Sequence, residues 1–213
     1  MECIKIVAHR GYWIDSSEKN TCCAFERALE HGFGIETDLR DAQGGVVISH
    51  DMPSGGEITL GAFLALCARY GAARPLALNI KSDGLHGEVQ AALARHAIGD
   101  AFVFDMAVPD ALGYLARGMP TYTRCSEYEN PPACLDRAAG VWLDAFHGEW
   151  YDLDMVGRWL EQGKAVCIVS PELHKRPHEA FWQRLRASGL PARAGLSLCT
   201  DFPLEAKTFY APG

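Results

Sequence analysis

The acid–base and metal-binding groups in the first 51 residues of this 213-residue chain include His9, Glu36, Asp38 and His50. Each sits at the end of a short apolar run, residues 4–8 before His9-Arg10-Gly11, 33–35 before Glu36-Thr37-Asp38, and 45–49 before His50-Asp51. Runs this rich in β-branched and aromatic residues predict buried strands. The polar groups then gather at strand C-termini, where α/β enzymes keep their chemistry. Glu36 and Asp38 are two apart, so on a strand they share a face, ~6.6 Å from one another along the chain, within reach of one cation. Carboxylate oxygens are hard ligands that select Mg²⁺ or Ca²⁺, and such a cation neutralises a phosphoryl group while keeping positions open for it. The competing reading has Asp38 capping the next turn and Glu36 pairing with Arg40. Two histidines at neighbouring strand ends favour the metal. An imidazole holds or releases its proton near neutral pH, so His9 and His50 suit a general acid and base, one taking a proton from an attacking hydroxyl and the other giving one to a leaving alkoxide. Arg10 offers a planar fork for a phosphate, or a partner for Glu36.

The elements that must position these groups follow from the same periodicity. Eight candidate strands cover residues 4–8, 33–35, 76–80, 101–104, 121–123, 141–143, 165–169 and 195–198, with 46–49 as an antiparallel or extended return within the second unit. Amphipathic stretches at 22–31, 60–70, 87–96, 109–117, 153–162 and 179–187 read as helices, each with a glycine at or shortly after its end as a C-cap requires. Residues 122–135, with Pro131-Pro132, read as a loop or short helix. Strands alternating with helices give a parallel sheet, and eight of them predict a compact (β/α)8 TIM barrel, an α/β fold, as one domain over residues 1–213 without a large insertion domain. A doubly wound open sheet is the alternative.

The motifs His9-Arg10-Gly11, Glu18-Lys19-Asn20-Thr21 followed by Ala24-Phe25, Glu36-Thr37-Asp38-Leu39, His50-Asp51 and, near the C-terminus, Cys199-Thr200-Asp201-Phe202-Pro203 together resemble the glycerophosphodiester phosphodiesterases of the PLC-like phosphodiesterase superfamily. The resemblance is strong at both ends of the chain and weak between. It implies a metal-dependent phosphoric diester hydrolase in which both histidines are catalytic. A substrate hydroxyl next to the phosphodiester attacks first, and water then opens the cyclic phosphate. Where the family has Glu-x-Lys, this chain reads Asn79-Ile80-Lys81. The implied set is therefore His9 and His50 in catalysis, Arg10 and Lys81 on the substrate, and Glu36, Asp38 and Asn79 on a divalent cation, Mg²⁺ or Ca²⁺. A neutral amide in place of a carboxylate weakens the site, and Asp105 is a neighbouring candidate to restore the lost charge. Lys19 is an insertion into the usual Glu-Asn-Thr. Glu18, Asn20 and Thr21 read as mainly structural, since Asn20 or Thr21 makes an ordinary N-cap. The loop at 52–57 is short where relatives carry an insertion. The mouth should be more open, with room for a sugar phosphodiester or a lipid-derived substrate. Tyr12, Trp13, Trp142, His147, Glu172 and His174 are candidates to line it, with packing the competing role for each.

Composition, 48% hydrophobic and 22% charged, fits a soluble enzyme with a sizeable core, and a net charge of −7 excludes a nucleic-acid backbone as the main partner. The expected partner is a small-molecule phosphodiester. Eight cysteines without a Cys-x-x-Cys pair read as reduced core residues of a cytoplasmic protein. The chain reaches His9 too soon for a signal peptide, and its longest apolar stretch, 60–68, is far short of the ~20 residues that span a bilayer, so no stable membrane anchor is expected. Two other functions suit the same residues: a phospholipase-D-like lyase that releases the cyclic phosphate, and a degenerate, non-catalytic barrel that binds a phosphorylated ligand, motivated by Asn79.

Overall fold

Near-continuous apolar runs become fully buried strands because helices cover them. The computed structural model describes residues 4–71 and 74–211. The chain divides into two units, one of residues 8–121 and one built from residues before 8 and after 121.

The unit of residues 8–121 takes the end of β1 (Lys5–His9), whose first three residues belong to the other unit, and holds β2 (Gly34–Ala42), β3 (Gly45–Ile48), β4 (Leu76–Ile80) and β5 (Ala101–Phe104), joined through α1 (Cys22–Glu30), α2 (Leu60–Arg69), α3 (His86–Arg95) and α4 (Val108–Ala116). The strand order is β5-β4-β2-β1, with β3 paired to β2. β2 and β4 run parallel and set Glu36 opposite Ala77 and Asp38 opposite Asn79. β3 is the expected antiparallel return. α1 buries Ala24, Phe25, Ala28 and Leu29 on one face, and its N-cap, Thr21, accepts from the Ala24 N–H. Thr59 caps α2 in the same way.

The second unit orders its strands β1-β9-β8-β7-β6, with β6 (Tyr122–Cys125), β7 (Gly140–Leu143), β8 (Ala165–Val169) and β9 (Leu196–Thr200), and adds α5 (Leu153–Glu161), α6 (Glu179–Ala187) and α7 (Pro203–Phe209). β6 to β9 are parallel neighbour to neighbour. Eight parallel strands, joined through helices except between β6 and β7, make the fold a (β/α)8 barrel, as expected.

Two elements differ from the sequence reading. β2 does not stop at Ile35 but runs on to Ala42, so Glu36 and Asp38 lie inside a strand, their polar side chains accommodated by the site they form. α7 was not expected, although Pro203 at its first turn is a helix-start signal. The cysteines also need correction. Cys67, Cys125, Cys167 and Cys199 are buried, but Cys22 and Cys23 are exposed at the start of α1. Cys3 lies outside the described residues. No helix among the described residues is long and apolar enough to cross a membrane.

Candidate active site

All of the expected catalytic, substrate and metal residues belong to the unit of residues 8–121. His9 ends β1, and its Nε2 lies 3.9 Å from Glu36 Oε2. The chain then turns sharply, with Arg10 at φ 60° and Gly11 at φ 84°. A Cβ at Gly11 would meet the Ala24 backbone at 2.9 Å, so this turn requires glycine. The turn sends the Arg10 N–H to the Glu36 carbonyl at 2.9 Å and to Glu36 Oε2 at 3.3 Å. The Arg10 guanidinium pairs with Asp38 Oδ2 at 3.2 Å. Asn79 Nδ2 donates to Glu36 Oε1 at 3.3 Å. Lys81 Nζ lies between Asp105 Oδ2 at 3.0 Å and Asp38 Oδ1 at 3.7 Å. Arg10, Asn20 and Asp105 all hold left-handed backbone angles, at φ 60°, 61° and 70°. Such angles cost non-glycine residues about 1–3 kcal/mol each and collect at functional sites.

His50 stands on the loop after β3, its Nδ1 3.0 Å from Asp51 Oδ1. Arg40 steadies that loop by donating to the His50 carbonyl at 3.2 Å, which is what Arg40 does in place of pairing with Glu36. A cavity of about 490 Å³ is lined by His50, Ser49, Arg10 and Asn20, among others. It joins the His50 loop to Arg10 and Asn20.

The two central carboxylates are 2% and 0% exposed. Burial first, and the charge of Asp38 second, push the Glu36 carboxyl up to about 7 against the opposing pull of His9, Arg10 and Lys81. Asp38 Oδ1 and Asn79 Oδ1 are buried without a hydrogen-bond donor. Buried acceptors are normally satisfied, so two orphans beside two carboxylates fit a hard cation held by oxygen. Among the described residues no group of three or more His, Cys, Asp or Glu could hold a metal. The set here is two carboxylates and an amide, with Asp105 apart from it and engaged by Lys81.

No family model matches the chain, and no curated protein does. Solved structures do. A Galdieria sulphuraria protein assigned to the glycerophosphodiester phosphodiesterases is 19% identical, with full coverage of both chains and a TM-score of 0.75. An Oleispira antarctica phosphodiesterase in complex with the product sn-glycerol-3-phosphate is 19% identical over 97% of this chain and 96% of that one, TM-score 0.66. A Ca²⁺-dependent phosphatidylinositol-specific phospholipase C from Streptomyces antibioticus is 13% identical over 99% and 96%, TM-score 0.60. The chain has the glycerophosphodiester phosphodiesterase fold.

Within that fold the remaining candidates separate. Glu18 is structural: its carboxylate takes the Ile14 N–H at 2.8 Å and Arg27 Nη1 at 2.8 Å, which holds it below the usual carboxylate range. Thr21 caps α1. Asn20 is the residue that the sequence reading undervalued, because its amide donates to Asp38 Oδ2 at 2.9 Å and accepts from Thr37 at 2.8 Å. Tyr12 packs edge-on against His31 and Phe33, whereas the Trp13 indole N–H donates to the His9 carbonyl at 3.1 Å. In the other unit Trp142 is core, 5% exposed. Glu172 is spent on Thr200 and on the Asp201 N–H. His147 meets the Tyr128 hydroxyl, and His174 Nε2 lies 2.6 Å from Asp144 Oδ1.

Proposed function

We propose that the protein is a metal-dependent phosphodiesterase that hydrolyses glycerophosphodiesters or a related small phosphodiester, with His9 and His50 as its acid–base pair. The observation that carries this reading is the buried Glu36–Asp38–Asn79 oxygen cluster, with two acceptors lacking donors, flanked by the cations Arg10 and Lys81. The product bound to the Oleispira relative and the Ca²⁺ dependence of the Streptomyces one belong to the same chemistry.

Bound by Glu36, Asp38 and Asn79, Mg²⁺ or Ca²⁺ would neutralise phosphoryl charge and ease ionisation of the attacking hydroxyl. The protein's own groups do the rest. Arg10 pairs with Asp38 through Nε at 3.2 Å, and a guanidinium in that place suits phosphate oxygens. Lys81 adds a second positive charge, held in place by Asp105. His50 uses Nδ1 on Asp51, so Nε2 is the atom it presents to substrate. One histidine takes the proton of the attacking hydroxyl and the other protonates the departing alkoxide.

The test is hydrolysis of glycerophosphocholine and bis(p-nitrophenyl) phosphate with Mg²⁺, Ca²⁺, Mn²⁺ or EDTA by wild type, His9→Ala and His50→Ala. Cation-dependent turnover that drops ~10²–10⁴-fold in either variant is expected. A folded wild type inert with every metal would overturn the reading. Phosphorus NMR of the products separates a hydrolase, which yields a monoester, from a lyase that stops at the cyclic phosphate.

A further inference from the structure

The two oxygens of Asp38 are treated unequally. Oδ2 is held from two sides, by Asn20 Nδ2 at 2.9 Å and by Arg10 Nε at 3.2 Å, whereas Oδ1 is buried without a hydrogen-bond donor and has Lys81 Nζ at 3.7 Å. The terminal torsion of a carboxylate is soft. Left to turn, the group would swing Oδ1 onto the Lys81 ammonium and spend the one oxygen that is open to a cation. Asn20 has the contacts to prevent that turn.

The amide is fixed at its other end as well. An ionised carboxylate only accepts, so Asn20 turns its NH₂ to Asp38, and its carbonyl then takes the Thr37 hydroxyl at 2.8 Å. Thr37 and Asp38 are consecutive residues of β2, both 0% exposed, and consecutive strand residues point to opposite faces. One amide therefore clamps the strand from both. The backbone of Asn20 is tied too, its N–H donating to the Arg10 carbonyl at 3.0 Å with φ at 61°, a conformation that asparagine adopts more readily than most residues. We propose that Asn20 is a positioning residue for the cation site: anchored by Thr37, its amide fixes the Asp38 carboxylate so that Oδ1 stays clear of Lys81 and open to a divalent ion. This inference rests on the phosphodiesterase reading and gives Asn20 and Thr37 a task in its site. Groups that orient a ligating carboxylate in this way are worth about 10–100-fold in metal affinity.

The experiment is calorimetric titration of EDTA-stripped protein with Ca²⁺ and with Mg²⁺, on wild type, Asn20→Gly, Thr37→Val and Thr37→Ser. Glycine accepts the left-handed backbone and removes only the amide, and valine keeps the shape of threonine without its hydroxyl. Asn20→Gly should raise the Kd of the tighter-bound cation about tenfold or more, Thr37→Val should raise it about fivefold or more, and Thr37→Ser, which restores the donor, should bind more tightly than Thr37→Val. Thermal melts in EDTA show which variants fold; if Asn20→Gly does not, the two Thr37 variants decide. A role confined to stability would lower the melting temperature and leave Kd where it was. Smaller rises, or a Thr37→Ser no tighter than Thr37→Val, overturn the positioning role and leave the phosphodiesterase reading intact. A folded wild type that binds neither cation overturns both.

Discussion

Asn79 and Glu36, both buried, meet through a hydrogen bond of 3.3 Å, and that contact defines how the site responds to charge. Replacing Asn79 by Glu puts a third carboxylate beside two buried ones. Without metal, Asn79→Glu should melt several degrees lower. With Mg²⁺ or Ca²⁺ it should bind the cation at least tenfold more tightly by calorimetry, because an anionic ligand replaces a neutral one. An unchanged affinity would remove Asn79 from the ligand set. Glu36 gives a second handle. Its carboxyl is raised from 4.5 to about 7 by burial and by Asp38, so the folded protein holds the proton more tightly than the unfolded chain does. Stability from this group is complete below pH 4.5 and is lost as pH rises toward 7, about 3 kcal/mol in all for a shift of this size. Denaturant melts of EDTA-treated protein from pH 4.5 to 8 should show that decline, Glu36→Gln should flatten it, and added Ca²⁺ should restore stability at the alkaline end. A decline of equal size in Glu36→Gln would assign it to another group.

At the scale of elements, the β1–α1 turn controls the site more than any strand does. It carries Arg10, delivers Asn20 to Asp38, and depends on Gly11, at φ 84° with Ala24 at 2.9 Å from a Cβ. Gly11→Ala should cost about 3 kcal/mol in denaturant melts, strain in the left-handed region plus overpacking against α1. A loss below 1 kcal/mol would mean that the turn relaxes freely. Most of this layer was legible in the sequence, since the barrel strands are short apolar runs and the helices carry one apolar face each. What was missed has physical causes. Hydrophobic periodicity ends at Ile35, within β2, because buried carboxylates begin there, and α7 carries a single signal, one proline after Asp201-Phe202. Asn20 passed for a cap because only the folded turn shows its amide reaching a residue 18 positions away.

Across the whole molecule, identity to the similar folds falls to 13–19% while TM-scores stay at 0.60–0.75. A barrel core accepts any well-packed apolar set. On the proposed reading, the groups that touch phosphate and cation accept few alternatives, which would keep short motifs readable in a chain that no family model matches. The cysteines report on that core. Cys67, Cys125, Cys167 and Cys199 sit in it, with burial pushing the Cys67 thiol up to about 12 and Cys125 up to about 11, whereas Cys22 and Cys23 face solvent. Thiol labelling followed by peptide mass spectrometry should therefore modify Cys22 and Cys23 within minutes, and the four buried thiols only at the rate of global unfolding, since neither exposure nor thiolate is available before then. Cys22 lines the cavity shared by Arg10 and His50, and Cys23 does not. Saturating sn-glycerol-3-phosphate should slow labelling of Cys22 several-fold and leave Cys23 unaffected. Buried thiols that react as fast as Cys23 would show a core that opens piecemeal, and equal protection of both exposed thiols would place the ligand elsewhere than this cavity.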